Sequence, residues 1–137
     1  MKKEISLQWK EKMAFQSEVD GHVIIVDANR EFGGTDSGPR PKSLLLVSLA
    51  GCTAMDVIAI LNKMKVEVKS FNIKVEGEVE DQHPQSFKNM HVIYEFSGEN
   101  LPMEKLQKAV ELSQEKYCGV SATLKKGIPV TYEIRII

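Results

Sequence analysis

Gly38-Pro39-Arg40-Pro41-Lys42-Ser43-Leu44-Leu45-Leu46-Val47-Ser48-Leu49-Ala50-Gly51-Cys52-Thr53-Ala54-Met55-Asp56-Val57 is the stretch that decides the fold. Glycine and two prolines close a loop, and the run behind them predicts a long helix over roughly 42–64. Apolar residues fall on nearly all faces of that helix, so it is expected to be buried and surrounded by protein. A single small sheet can hardly wrap it, which favours a homodimer sharing one core. The segment 43–61 is also about long enough to span a bilayer. It contains Ser48, Gly51, Thr53 and Asp56, however, and a charge near mid-membrane costs several kcal/mol. With no second apolar span, a core helix is the expectation, and no membrane is expected as a partner.

Upstream, Ile5, Leu7 and Trp9 alternate with polar neighbours, the period of a half-buried strand. A second strand is expected over 14–19. Asp20-Gly21 is a hairpin signal, and a third strand returns over 22–27. Downstream, Phe71, Ile73, Val75 and Val79 alternate within 66–79, and Met90, Val92, Tyr94 and Phe96 within 87–96. A second helix is expected over 102–117, opened by Pro102, with Met103, Leu106, Val110 and Tyr117 as its apolar stripe. After Gly127, Ile128, Val130, Tyr132, Ile134 and Ile136 form one face of a last strand. The order is βββ–α–ββ–α–β, an α+β architecture, expected as a single domain over 1–137.

The 137 residues carry 18 basic and 19 acidic side chains. That balance gives no reason to expect nucleic acid or an anionic membrane surface. The opening MKKEISLQWKEK has no apolar segment behind it, so no secretory signal is read and a cytoplasmic location is expected. Two cysteines do not make a disulfide scaffold. In a reducing compartment, a pair of this kind points to redox chemistry or to two buried structural thiols.

Cys52 follows Gly51 inside the long helix, and Asp56 lies one turn later on the same face. Apolar burial and a neighbouring carboxylate both disfavour a thiolate, so this segment by itself reads as structural. Cys118 stands at the end of the second helix, in Tyr117-Cys118-Gly119-Val120-Ser121. A cysteine at a helix end, beside a glycine, has the local freedom that disulfide chemistry with a fixed partner requires. His22, His83 and His91 are scattered, with no metal-ligand spacing, and no metal or cofactor is expected. His91 alternates outward from Met90 and Val92 and reads as an exposed strand histidine. Gly33-Gly34 with Gly38 lacks the Gly-Lys-Ser/Thr of a phosphate loop.

The stretch 38–57 resembles the signature of the OsmC/Ohr family, and Cys118-Gly119-Val120-Ser121-Ala122-Thr123 resembles that family's second cysteine motif. The resemblance implies an intertwined homodimer with sites at the subunit interface. It also implies a thiol-dependent peroxidase acting on organic hydroperoxides. Cys52 matches the peroxide-attacking cysteine and Cys118 the resolving one, with an external dithiol as reductant. Peroxidase members also carry a glutamate shortly after the helix-opening proline and an arginine in the early strands. Here Lys42 and Ser43 occupy the candidate positions, and no arginine precedes Arg30. Lys42, Arg30 and Arg40 are the remaining cations that could approach a thiolate. That departure keeps two alternatives open: a non-catalytic member binding a small apolar ligand, and a redox-responsive interaction protein.

Overall fold

The computed structural model describes residues 1–137. Contacts divide the chain into two compact units, Met1–Leu45 and Leu46–Ile137.

In the first unit, β1 (Gln8–Glu11), β2 (Ala14–Val19) and β3 (His22–Val26) form an antiparallel meander in the order β1-β2-β3. Asp20 and Gly21 both take positive φ, 50° and 81°, the backbone that a two-residue hairpin turn needs to match strand twist. The first strand is shorter than its alternation suggests. Ile5 and Leu7 precede it, and Ile5, Leu7 and Trp9 are all exposed. The loop after β3 is organised by one buried carboxylate. Asp27 Oδ1 accepts from the Ala28 N–H at 2.7 Å, and Oδ2 accepts from the backbone N–H and hydroxyl of both Thr35 and Ser37. The N–H and hydroxyl of Ser37 do most to hold the Asp27 carboxyl well below the usual carboxylate range. A Cβ on Gly34 would collide with the Ala28 carbonyl oxygen, so this tightly wound loop admits only glycine there.

The second unit carries a sheet of β4 (Ser70–Val79), β5 (Phe87–Ser97) and β6 (Val130–Ile136), with β5 central. β4 pairs with it antiparallel and β6 parallel, Met90 opposite Val130 and Phe96 opposite Ile136. Alternation sends Met90, Val92, Tyr94 and Phe96 into the core, all of them fully buried. Phe71 stacks on Phe96 at 4.5 Å between centroids. Leu49, Val57 and Leu61 of helix α1 (Ser43–Lys63) join the same core, together with Leu106, Ala109 and Val110 of α2 (Met103–Leu112).

Two expectations change here. The buried residues of α1 are Leu49, Thr53, Val57 and Leu61, a single stripe at four-residue spacing. Val47 and Met55 are 62% and 69% exposed, so within one chain the helix is not surrounded. By length and hydropathy α1 also meets the measure of a membrane span, although its buried stripe belongs to the protein core. The second helix does not run unbroken to Tyr117. α2 ends at Leu112, a π-helical turn follows over Ser113–Tyr117, and a third helix, α3 (Gly119–Lys125), precedes β6. The extra residue in the π turn rotates the downstream residues out of phase with α2, and Tyr117, expected on the apolar stripe, is exposed instead.

α1 ends in a Schellman arrangement. Val66 N–H donates to the Leu61 carbonyl and Lys65 N–H to that of Asn62, with Lys65 held at φ 57°. A non-glycine residue in that conformation is strained by about 1–2 kcal/mol. Lys65→Gly should therefore raise stability by about 0.5–1 kcal/mol, the gain being reduced by the looser unfolded chain. Leu61→Ala, at a fully buried position, should lower stability by about 2–5 kcal/mol. Urea unfolding of both variants checks the pair. A loss of stability in Lys65→Gly would contradict the strain assignment.

Candidate functional site

α1 carries Cys52 and, one turn on, Asp56. The π turn delivers Cys118 to the same place. Its N–H donates to the Ser113 carbonyl at 2.8 Å, five residues back, and the chain then extends at Cys118 (φ −76°, ψ 102°) before α3 begins. The Cys52 and Cys118 sulfurs and an Asp56 carboxylate oxygen all lie within 4.8 Å of one another. Both thiols are free. Cys118 is 3% exposed, whereas Cys52 is only partly buried.

A chain of buried hydroxyls holds the two segments together. Thr53 Oγ1 lies 2.6 Å from Tyr94 Oη and 2.7 Å from Ser113 Oγ. Ser113 donates to Asp56 Oδ2 at 2.9 Å. Gln114 Nε2 donates to Tyr94 Oη at 2.7 Å, and Ser121 Oγ–H donates to Gln114 Oε1 at 2.8 Å. The Ser121 N–H then donates to Cys118 Sγ at 3.3 Å. The network thus runs from the carboxylate beside Cys52 round to the sulfur of Cys118. Each link satisfies a buried polar group that would otherwise cost about 1–3 kcal/mol. Burial pushes the Tyr94 phenol up, against the opposing bonds from Thr53 and Gln114.

The same environment suppresses ionisation of Cys118. Burial is the largest influence; the Ser121 N–H opposes it, and Cys52 and Asp56 add to it, so the thiol is pushed up to about 11. Cys118 caps a short helix, where a thiolate is usually favoured, yet desolvation wins.

Of the three cations considered from sequence, Arg40 is committed within its own loop. It pairs with Asp36 at 2.7 Å and donates to the Gly38 carbonyl at 2.8 Å. Arg30 lies in an exposed 3-10 turn, Arg30–Phe32. His91 faces outward on its strand, as its alternation suggests, and it has partners there. Its ring nitrogens lie 2.7 Å from Thr131 Oγ1 and 2.9 Å from Glu133 Oε1. Arg135 bonds the same Glu133 carboxylate at 3.0 and 3.1 Å, and the bond from Arg135 is the main influence lowering it. This cluster lies on an open sheet face, where a surface polar ladder is the natural reading. A nearly wholly apolar hollow of about 500 Å³ lies in the first unit, bordered by Met13, Phe15, Val26, Phe32 and Pro41.

The sequence reading placed Tyr94 on a strand's inward face and Ser121 in the second cysteine motif, but it assigned no site role to Thr53, Tyr94, Ser113, Gln114 or Ser121. One signal was available for Ser113. It falls three residues after Val110, on the stripe that also holds Leu106, and a polar residue at a core position has to find a buried partner.

Comparison with known proteins comes to the same region. A family model described as OsmC-like protein matches residues 34–133, a span that includes both cysteines. Protein YhfA of Escherichia coli K12 is 30% identical over 132 residues, covering 96% of each chain. A hypothetical protein of Aquifex aeolicus VF5, known by crystal structure, is 30% identical with a TM-score of 0.82, over 100% of this chain and 98% of that one. The organic hydroperoxide resistance protein OhrB of Bacillus subtilis shares the fold at a TM-score of 0.64 and 16% identity, over 96% of each chain.

The suppressed ionisation of Cys118 is directly testable in Cys52→Ser, which leaves it as the sole thiol. Burial, the largest influence, persists there. Alkylation by iodoacetamide should be slow at neutral pH and should keep rising beyond pH of about 10, where an ordinary thiol has levelled off. A midpoint near pH 8.5, with a plateau by about pH 10, would show that Cys118 is an ordinary thiol.

Proposed function

The chain belongs to the OsmC-like protein family, and from that membership we propose that it is a thiol-dependent peroxidase reducing organic hydroperoxides through Cys52 and Cys118. The observation carrying this reading is the approach of the two sulfurs to within 4.8 Å. The hydroperoxide resistance named for OhrB of Bacillus subtilis supports it by analogy of fold.

The difference in exposure supports the division of roles. Cys52 is the thiol that solvent reaches; Cys118 is shut away. In the proposed cycle the Cys52 thiolate attacks the O–O bond. One oxygen becomes the sulfenic acid, and the other leaves as an alkoxide and takes a proton to become the alcohol. Cys118 then attacks the sulfenic sulfur, closing a disulfide and releasing water. An external dithiol restores both thiols by exchange and is itself oxidised. Cys118 works against disulfide closure, because a thiol held neutral is a weak attacking group. A resolving thiol held neutral makes the cycle slow at neutral pH. The cycle also needs reduced thiols at its start, so the proposal includes a cytoplasmic location.

The proposal further includes a homodimer. Its motive is the outward face of α1, where Val47 and Met55 expose apolar surface. Light scattering at micromolar concentration should give twice the 15.4 kDa chain mass; a monomer at that concentration would count decisively against it.

Stopped-flow mixing of reduced protein with an organic hydroperoxide tests the chemistry. Thiol loss should be slow near pH 7 and accelerate as pH rises. Cys52→Ser should abolish it. Cys118→Ser should permit the first oxidation, block disulfide closure and leave the sulfenic acid open to over-oxidation. A rate that is fast and flat from about pH 6 to 8 would show that the thiolate has an activating group other than those described. Unchanged consumption by Cys52→Ser would overturn the assignment of roles.

A further inference from the structure

We propose that the reduced chain binds one thiophilic divalent cation, of the zinc class, between Cys52 Sγ, Cys118 Sγ and a carboxylate oxygen of Asp56. These three donor atoms lie within 4.8 Å of one another. In tetrahedral zinc sites the bonds are about 2.3 Å to sulfur and 2.0–2.2 Å to oxygen, which sets ligand atoms roughly 3.5–3.8 Å apart. The trio therefore needs to contract by at most about 1.0–1.3 Å, within reach of side-chain rotation. Two sulfurs select for zinc or cadmium and against magnesium or calcium, which prefer oxygen.

The surroundings are those of a supported ligand set. Asp56 follows Cys52 by four residues on α1, so both project from one helical face. Ser113 fixes the carboxylate through its bond to Oδ2, and Ser113 is fixed in turn by Thr53. The Ser121 N–H already points at Cys118 Sγ, where it would offset the charge of a metal-bound thiolate. Second-sphere bonds of this kind orient ligands and are typically worth 10- to 100-fold in affinity. Cys118 is buried while Cys52 is partly exposed, so the site has an inner wall and an entrance. Three protein ligands leave the fourth position to water, the pattern of an open rather than a structural zinc site.

The chemistry is exchange without redox. Two S–H bonds break, two metal–sulfur bonds form, and two protons pass to solvent. Bound metal would occupy the sulfur lone pairs that peroxide attack and disulfide closure both require, so metal binding and oxidation would exclude one another.

The test is titration of reduced, chelator-treated protein with Zn²⁺ against a chromophoric zinc chelator. A parallel titration with Cd²⁺ follows the thiolate-to-cadmium charge-transfer absorption. One ion per chain is expected, with the charge-transfer band. Cys52→Ser and Cys118→Ser should each lose the one-ion binding. Asp56→Asn, nearly isosteric but without the ligating negative charge, should keep the band and bind more weakly by at least about 10-fold. Protein oxidised to the disulfide should bind none. Absence of stoichiometric binding to the reduced chain would overturn the proposal, as would binding that Cys118→Ser and Asp56→Asn leave unchanged. No peroxide enters this experiment, so its failure leaves the peroxidase reading intact, and a chain inert to hydroperoxide could still bind the ion.

Discussion

The Thr53 hydroxyl is the point on which the site depends. It lies on the buried stripe of α1, within 2.7 Å of hydroxyls from both β5 and the π turn, Tyr94 and Ser113. Each of these groups is fully buried and needs its partners, since an unpaired buried hydroxyl costs about 1–3 kcal/mol. Satisfying them fixes the register of the turn after α2 against α1. Cys118 follows that turn directly, so its distance from Cys52 is a consequence of hydroxyl pairing one residue away. Networks of this kind are lost as units, and the placement of the two sulfurs is only as firm as the network.

Placement and activation are separate matters here. The geometry brings two thiols and a carboxylate to within 4.8 Å of one another, the placement that the proposed disulfide closure and the proposed cation site both require. It does not help make a thiolate of Cys118, which burial holds neutral, with Cys52 and Asp56 adding to the effect. Arg40, the cation closest in sequence to the helix opening apart from Lys42, is already neutralised by Asp36. The resulting character is a closely placed pair whose buried member is held neutral, in keeping with the proposed slow peroxidase or with the proposed metal site.

Much of the fold was legible because periodicity reports burial. The alternation of Met90, Val92, Tyr94 and Phe96 and the hairpin at Asp20-Gly21 both match the structure. The alternation of Ile5 and Leu7 misled, because the pairing strand begins only at Gln8. α3 was missed because seven residues between two glycines give too few turns for a helical period to show. The π turn has no sequence pattern of its own. The cysteines were legible as motifs, but the groups around them were not. Tyr94 and Thr53 are 41 residues apart in the chain, and such a pairing becomes visible only once the sheet and helix have packed.

The most direct measurement of the central claim is peptide mass mapping of reduced protein after one equivalent of an organic hydroperoxide. The account predicts a bridge between Cys52 and Cys118 within one chain, with the loss of two hydrogens and no added oxygen. Recovery of both cysteines as free thiols, or a bridge only between Cys52 residues of two chains, would contradict it.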